Sequence, residues 1–281
     1  MGPSAVRGAG FAQLCRRLGY EVRDGGDVHV PTPESREIGA KHAKYLSEIA
    51  ASCDLLRVAV RDALAAGEMP VVAGGDHSIA VGTVAGVAEH YRANRESIGL
   101  LWIDAHADMN TPETSPSGNV HGMPLSACLG LGAPELTELG GFGPKVRRDH
   151  VVLLGIRDLD RREKEIVHAS GVHAYTMRAI DERGLAEVMT EALGFLTDGT
   201  AGFHVSLDFD GLDPSVAPGV GTPVRGGLSF REAHLLMEIV ADSRAAVSLE
   251  VTEINPMLDV RNQTAEVAVD LLLSGLGKSI L

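Results

Sequence analysis

Short apolar runs alternate along this chain with longer stretches in which apolar residues recur every three to four positions. Pro70–Ala73 precedes a helical pattern over Ser78–Tyr91, and Ile98–Ile103 forms the next apolar run. Val151–Gly155 is followed by a helical Leu159–Ala169, Val172–Tyr175 by Leu185–Leu196, Phe203–Leu207 by Leu228–Asp242, and Val247–Val251 by Thr264–Gly275. Such strand–helix repetition predicts parallel strands joined by crossover helices, an α/β fold. Ahead of it the pattern predicts a helix over Pro3–Leu18, a weak strand near Tyr20–Arg23 and one long helix over Glu37–Ala66, giving seven strands in all.

Length and composition narrow this picture. The 281 residues are 44% hydrophobic and contain no internal repeat or low-complexity linker, so one domain over residues 1–281 is expected. No apolar stretch approaches the roughly 18 residues that span a bilayer. The start lacks the charged and apolar regions of a signal peptide, which predicts a cytoplasmic protein without a membrane partner. Cys15, Cys53 and Cys128 are odd in number and unrelated in spacing, which argues against a disulfide framework or a thiolate metal site. With 38 acidic and 25 basic residues the net charge is −13, so phosphate backbones are repelled. Nucleic acid is excluded as a partner on that ground, while a cationic small molecule is compatible.

The candidate chemistry lies just past the strand ends. Asp104, His106 and Asp108 occupy alternate positions after one apolar run, Asp208 and Asp210 after another, and His77 after a third. Alternate residues of an extended segment point to the same side, so each set can converge. In open parallel sheets ligands bind outside the carboxyl ends of the strands, where Glu253 also falls. Four aspartates and two histidines make an oxygen-rich, sulfur-free donor set suited to a hard divalent cation such as Mn²⁺. Six ligands exceed what one catalytic ion takes with an open position, whereas two ions roughly 3.5–4 Å apart share bridging carboxylates and an activated water.

Each cluster taken alone has a plainer reading. Gly74-Gly75-Asp76-His77-Ser78 also fits a strand-to-helix turn capped by Asp76 or Ser78, and Asp208-Phe209-Asp210-Gly211-Leu212-Asp213-Pro214 fits a turn. Asp104, His106 and Asp108 resist such a reading. Two carboxylates at a buried strand end with no adjacent Lys or Arg cost several kcal/mol unless a cation neutralises them.

These motifs, together with Glu253-Ile254-Asn255-Pro256, resemble the ureohydrolase superfamily, and the likeness runs from near residue 2 to beyond residue 270. Asn110 to Pro124, reading NTPETSPSGNVHGMP, is similar to the substrate loop of arginases rather than that of agmatinases. The resemblance implies a three-layer α-β-α arrangement with a mostly parallel central sheet, of the arginase/deacetylase type, and hydrolysis of L-arginine to L-ornithine and urea with two Mn²⁺ per subunit. It implies one ion held by His77, Asp104, Asp108 and Asp208, and the other by Asp104, His106, Asp208 and Asp210. It also places Asn110, Ser115, Ser117 and Asn119 around the substrate α-carboxylate, and Asp160 and Glu163 around the α-amino group. His121 corresponds to the proton shuttle, with Asp210 as a second proton carrier, Glu253 to the carboxylate that orients the guanidinium, and Thr222 to a supporting contact. Asp160 and Glu163 also suit the first turn of a helix, favoured there by its dipole, and the two roles can coexist.

The family pattern implies a homo-oligomer, a trimer or hexamer. Relatives carry a first strand and a glycine-rich loop ahead of the segment with which this chain begins. If the chain is complete, that strand is missing, and an unpaired edge, lower stability and a loose segment before about residue 35 are expected. Alternatives are an agmatinase or another guanidino or formimino hydrolase, and a truncated metal-binding subunit without turnover.

Overall fold

A computed structural model of the chain describes residues 1–279. Two short helices come first, α1 (Gly2–Gly8) and α2 (Phe11–Arg17), where one was expected. The break falls at Gly10, whose φ of 85° lies in the left-handed region that ends a helix. The segment after α2 is not a strand: residues 20–32 have no ladder. It is held by other contacts, with Val22 against the core, the Tyr20 hydroxyl donating to the Leu276 carbonyl at 2.6 Å, and Arg23 paired with Glu68.

The long helix expected over Glu37–Ala66 is also corrected. Its first third is instead a two-residue antiparallel ladder of β1 (Gly39–Ala40) and β2 (Ala43–Lys44), and α3 runs only over Leu46–Ala65. Gly39 (φ 71°) and Tyr45 (φ 55°) are left-handed, and the Lys44 amide donates to the Gly118 carbonyl at 2.9 Å, so a tertiary contact overrides local helical periodicity.

From there the strand–helix alternation holds. It runs β3 (Val71–Ala73), α4 (Ala80–Arg92), β4 (Gly99–Ile103), α5 (Pro124–Cys128), α6 (Pro134–Thr137), β5 (Val151–Ile156), α7 (Arg161–Ser170), β6 (His173–Thr176), α8 (Met177–Arg183), α9 (Leu185–Thr197), β7 (Phe203–Asp208), α10 (Phe230–Ser243), β8 (Ala246–Thr252) and α11 (Gln263–Gly275). α7 and α10 each start two residues later than the periodicity suggests. Asp160 caps the former, and a Ser229–Glu232 capping box the latter.

Six strands form one sheet in the order β3-β8-β7-β4-β5-β6, and every ladder is parallel. Helices cover both faces, one wholly apolar and the other apolar beside a buried polar row of His204, Ser206, Ser248 and Glu250. Leu100, Trp102, Val151 and Leu153 meet Val60, Leu64, Val84 and Val87 of α3 and α4 on one side. Leu101, Ile103, Val205 and Leu207 meet Val188, Leu196, Leu236 and Leu272 of α9, α10 and α11 on the other. This is the α-β-α layering of the family. α3 and α4 approach closely because Gly82 has no Cβ; one built there would sit 2.5 Å from the Cys53 carbonyl oxygen.

Register brings the strand ends level. Ile103 pairs with Leu207, and Asp208 with Thr252, so Asp104, Asp208 and Glu253 emerge beside one another. From β4 the chain builds β5 and β6 outward on one side, then returns to place β7 on the other. The crevice between β4 and β7 is therefore the switch point at which parallel α/β sheets bind ligands. Among the described residues, no helix is long and apolar enough to cross a membrane.

Candidate active site

All six residues expected to bind metal converge at this crevice. Nδ1 of His77 lies 3.2 Å from Oδ2 of Asp104, 3.1 Å from Oδ2 of Asp108 and 2.9 Å from Oδ2 of Asp208. Nδ1 of His106 lies 3.4 Å from Oδ1 of Asp104 and 3.1 Å from Oδ2 of Asp210. Two overlapping donor sets result, His77/Asp104/Asp208 and Asp104/His106/Asp210, each with its atoms within 4.8 Å of one another. Asp104 belongs to both. Asp108 reaches the cluster through a left-handed backbone, φ 52°, a conformation uncommon for non-glycine residues and tolerated best by Asp and Asn.

The turn readings hold as well and do not compete. Asp76 accepts from the Ser78 amide at 3.0 Å, Asp208 from the Asp210 amide at 2.7 Å, and Asp213 from the Ser215 amide at 3.0 Å. The caps fix the loops that aim the ligands.

The donor set fits divalent cations. Nδ1 of His77 is buried and makes no hydrogen bond among the described residues although three carboxylate oxygens surround it. Its other nitrogen is committed, 2.9 Å from the Ser206 hydroxyl, so the ring presents Nδ1 as a free donor. Without a cation the carboxylates oppose one another. Burial and then the neighbouring aspartates push the Asp208 and Asp210 carboxyls up, and burial and Asp104 drive Asp108 up to about 7. Burial also disfavours the charged form of His106, but pairing with Asp104 and Asp210 outweighs it and pushes this group to about 12. These are the signs of a negative cavity that positive charge relieves.

Sequence reasoning passed over the groups behind the ligands. The His77 ring stacks on Trp102, with centroids 4.1 Å apart, and the Trp102 indole N–H donates to Asp104 at 3.0 Å. Ser206 in turn donates to the buried Glu250 at 2.8 Å, and Thr83 donates to the same carboxylate. Ser206 carried a signal, standing two residues before Asp208; Glu250 and Thr83 carried none.

Above the cluster is a cleft of about 300 Å³ lined by His77, His106, Asp108, Asp208, Asp210 and Glu253, and on its outer side by Asn110, Ser115, Ser117, His121, Asp160, Glu163 and Thr222. Asp158 lines it too, which sequence reasoning did not single out. Asn119 does not; its Oδ1 accepts from Nζ of Lys44 at 3.0 Å. That contact seats the loop on the β1–β2 ladder. A larger surface cleft, of about 480 Å³, lies at the opposite ends of the strands, lined by Arg92, Arg95 and Arg147, but it holds one carboxylate and no histidine.

The polar groups of the cleft are preset. Asp160 caps α7, accepting from the Arg162 and Glu163 amides at 2.8 and 3.1 Å, and its second oxygen accepts from the Asn110 amide group at 2.7 Å. Burial works against its charge, but these donors outweigh it and the carboxyl stays below its usual range. Burial pushes Glu163 up to about 7. Oε1 of Glu253 lies 3.5 Å from Nδ1 of His121 and accepts from the His77 amide at 3.0 Å, on a backbone with φ 61°. That pairing raises His121 to about 9. Thr222 donates to Oδ2 of Asp210 at 2.9 Å.

A profile of the arginase family matches residues 1–277. The arginase of Bacillus caldovelox is 49% identical over all of this chain and 93% of its own length, and that of Brevibacillus brevis 48% identical over the same shares. The native Bacillus caldovelox structure at pH 5.6 superposes with a TM-score of 0.96, again over 100% and 93% of the two chains. An Entamoeba histolytica arginase solved with L-ornithine is 31% identical, with a TM-score of 0.89 over 99% of this chain and 92% of that one.

Proposed function

The chain belongs to the arginase family, a family of metal-dependent hydrolases of the guanidino group, and on that premise we propose that it converts L-arginine and water to L-ornithine and urea. One observation carries the reading: the two donor sets and the polar loop from Asn110 to His121 face each other across a single cleft. A guanidinium at the ligands leaves the amino-acid end of arginine beside Ser115, Ser117, Asp160 and Glu163. The Entamoeba histolytica arginase structure with L-ornithine supports the same amino-acid product here.

We infer two Mn²⁺ ions per chain, on His77, Asp104, Asp108 and Asp208 and on Asp104, His106, Asp208 and Asp210. Such ions would neutralise the carboxylates and lower the pKa of bound water toward about 7. The chain's own residues do the rest. Glu253 lies where its carboxylate holds the cationic guanidinium against the ligands, and the negative field of the aspartates favours that charge. Asp160 and Glu163 take the α-amino group and Asn110, Ser115 and Ser117 hold the α-carboxylate by loop donors, while Asn119, expected there as well, steadies that loop through its contact with Lys44.

Water oxygen bonds to the guanidinium carbon of arginine and the bond from that carbon to Nε breaks; both water protons end on this nitrogen, one as it leaves and one on the amine, giving neutral urea and the δ-ammonium of ornithine. His121, positively charged through Glu253, and Asp210, held by Thr222, are the carriers of those protons. The cytoplasm is the expected location, in accord with three buried cysteines that are all free thiols. A homo-oligomer, trimer or hexamer, is expected from the family likeness. The test is detection of urea and ornithine with arginine, before and after Mn²⁺ loading; neither product in the loaded protein would overturn the reading.

A further inference from the structure

Just past β5, Arg157 points its guanidinium into a ring of backbone carbonyls. Nη1 donates to Gly155 and Gly211, both at 3.1 Å; Nη2 donates to Asp210 at 2.6 Å, Val224 at 2.8 Å and Leu212 at 3.3 Å; Nε donates to Arg225 at 3.3 Å. Among the described residues, no carboxylate is a hydrogen-bond partner of its guanidinium. Its own amide donates to the Ala105 carbonyl at 2.8 Å. One residue thus ties together the segment after Asp104, the turn that carries Asp210 and the loop that carries Thr222.

The position is built for a guanidinium. A Cβ on Gly227 would lie 2.5 Å from Nη2 of Arg157 and 2.6 Å from the Leu212 carbonyl carbon, so the Arg225–Gly227 loop closes over the group only because residue 227 has no side chain. Five N–H donors in a rigid plane can address carbonyls from several directions at once, which an ammonium cannot. Strand ends and tight turns leave such carbonyls without ladder partners, and each costs free energy if left unmet.

We propose that Arg157 is a positioning residue for the reaction, setting where Asp210 and Thr222 stand relative to Asp104. It touches no reacting atom. The inference rests on the reading of Asp210 as a metal ligand and deepens it, since the Asp104/His106/Asp210 donor set is the one that the clamp controls. His77 is held instead by Ser206, Trp102 and Glu253 and should not depend on it.

The test uses the full chain and Arg157→Lys, which keeps the charge and loses the fork, with Gly227→Ala as a second variant that keeps the arginine but displaces it from the Leu212 carbonyl. In metal-free protein, amide exchange over residues 209–212 and 222–226 should quicken at least tenfold in both variants, with the rest of the sheet unchanged. In Mn²⁺ titrations by calorimetry, one of the two ions should weaken at least tenfold and the other stay within twofold. In loaded enzyme kcat should fall at least tenfold with KM for arginine within threefold. Wild-type exchange and wild-type affinity in Arg157→Lys would overturn the proposal, as would equal weakening of both ions with faster exchange across the whole sheet. If Arg157→Lys does not fold, Gly227→Ala alone decides by the same pattern. If the wild-type protein binds no Mn²⁺, the ligand reading falls, and the exchange comparison still judges the clamp.

Discussion

Nδ1 of His77 lies 2.9 Å from Oδ2 of Asp208, yet this buried nitrogen makes no hydrogen bond among the described residues. A nitrogen lone pair and a carboxylate facing one another at that distance are stable together when a cation lies between them. Removing one carboxylate should therefore remove metal before it removes the fold. Asp208→Asn is expected to retain at most one Mn²⁺ per chain by elemental analysis and to lose at least 10³-fold in kcat, with the far-ultraviolet circular dichroism unchanged. Two ions retained at normal activity would sink the ligand assignment.

Metal should also stabilise the folded state. Free Mn²⁺ at 100 times its dissociation constant adds about 2.7 kcal/mol per site for an ion that binds only the native chain. The melting temperature of chelator-treated protein is expected to rise with Mn²⁺ concentration; a curve that does not move would show that the cluster binds no ion tightly.

His121 and Glu253 set a pH dependence whose sign is fixed. Glu253 raises the folded pKa of His121 from the ordinary 6.5 to about 9. The folded state therefore holds a proton that the unfolded chain has lost between these values. The stability this contributes is whole below pH 6.5 and disappears as pH rises through about 9. In chelator-treated protein, Glu253→Gln should bring the imidazole titration, followed by nuclear magnetic resonance, back toward 6.5, and should flatten the loss of stability across that window. An unchanged titration would remove Glu253 as the cause.

The β1–β2 ladder should matter for substrate binding. The Lys44 amide and ammonium both hold the loop, at the Gly118 carbonyl (2.9 Å) and the Asn119 side chain (3.0 Å). A Cβ on Gly118, at φ 70°, would come within 2.0 Å of the Lys41 carbonyl oxygen. Lys44→Met should raise KM for arginine about tenfold, on the order of 1.4 kcal/mol, with kcat little changed. Steady-state kinetics check this; a fall in kcat at constant KM would place the ladder's role elsewhere.

The convergent His/Asp donor groups were legible in the sequence because parallel strands put them there by a short-range rule. Period-2 placement after an apolar run aims Asp104, His106 and Asp108 one way, and hydrophobic patterning predicted the strands themselves. Their meeting was legible only through the parallel topology, and the register of Ile103 against Leu207 completes it. The ladder under the substrate loop was hidden, since Glu37–Ala66 keeps a helical pattern and the contact that breaks it comes from Gly118, more than seventy residues on. The Tyr20–Arg23 segment shows the converse. It has strand-forming residues, but strands need a partner backbone, and here its contacts are to Leu276 and Glu68 side by side with the core. Arg157 stood in view as part of Arg157-Asp158-Leu159-Asp160, but carbonyl partners leave no trace in side-chain identity.

The loop from Asn110 to His121, with Asp160 and Glu163 at the start of α7, is expected to select an α-amino acid. The most direct measurement is kcat/KM of the Mn²⁺-loaded protein for arginine and for agmatine, which lacks only the α-carboxylate. Polar groups left unpaired by agmatine predict a preference for arginine of about 10⁴-fold. Comparable values for the two substrates would contradict it.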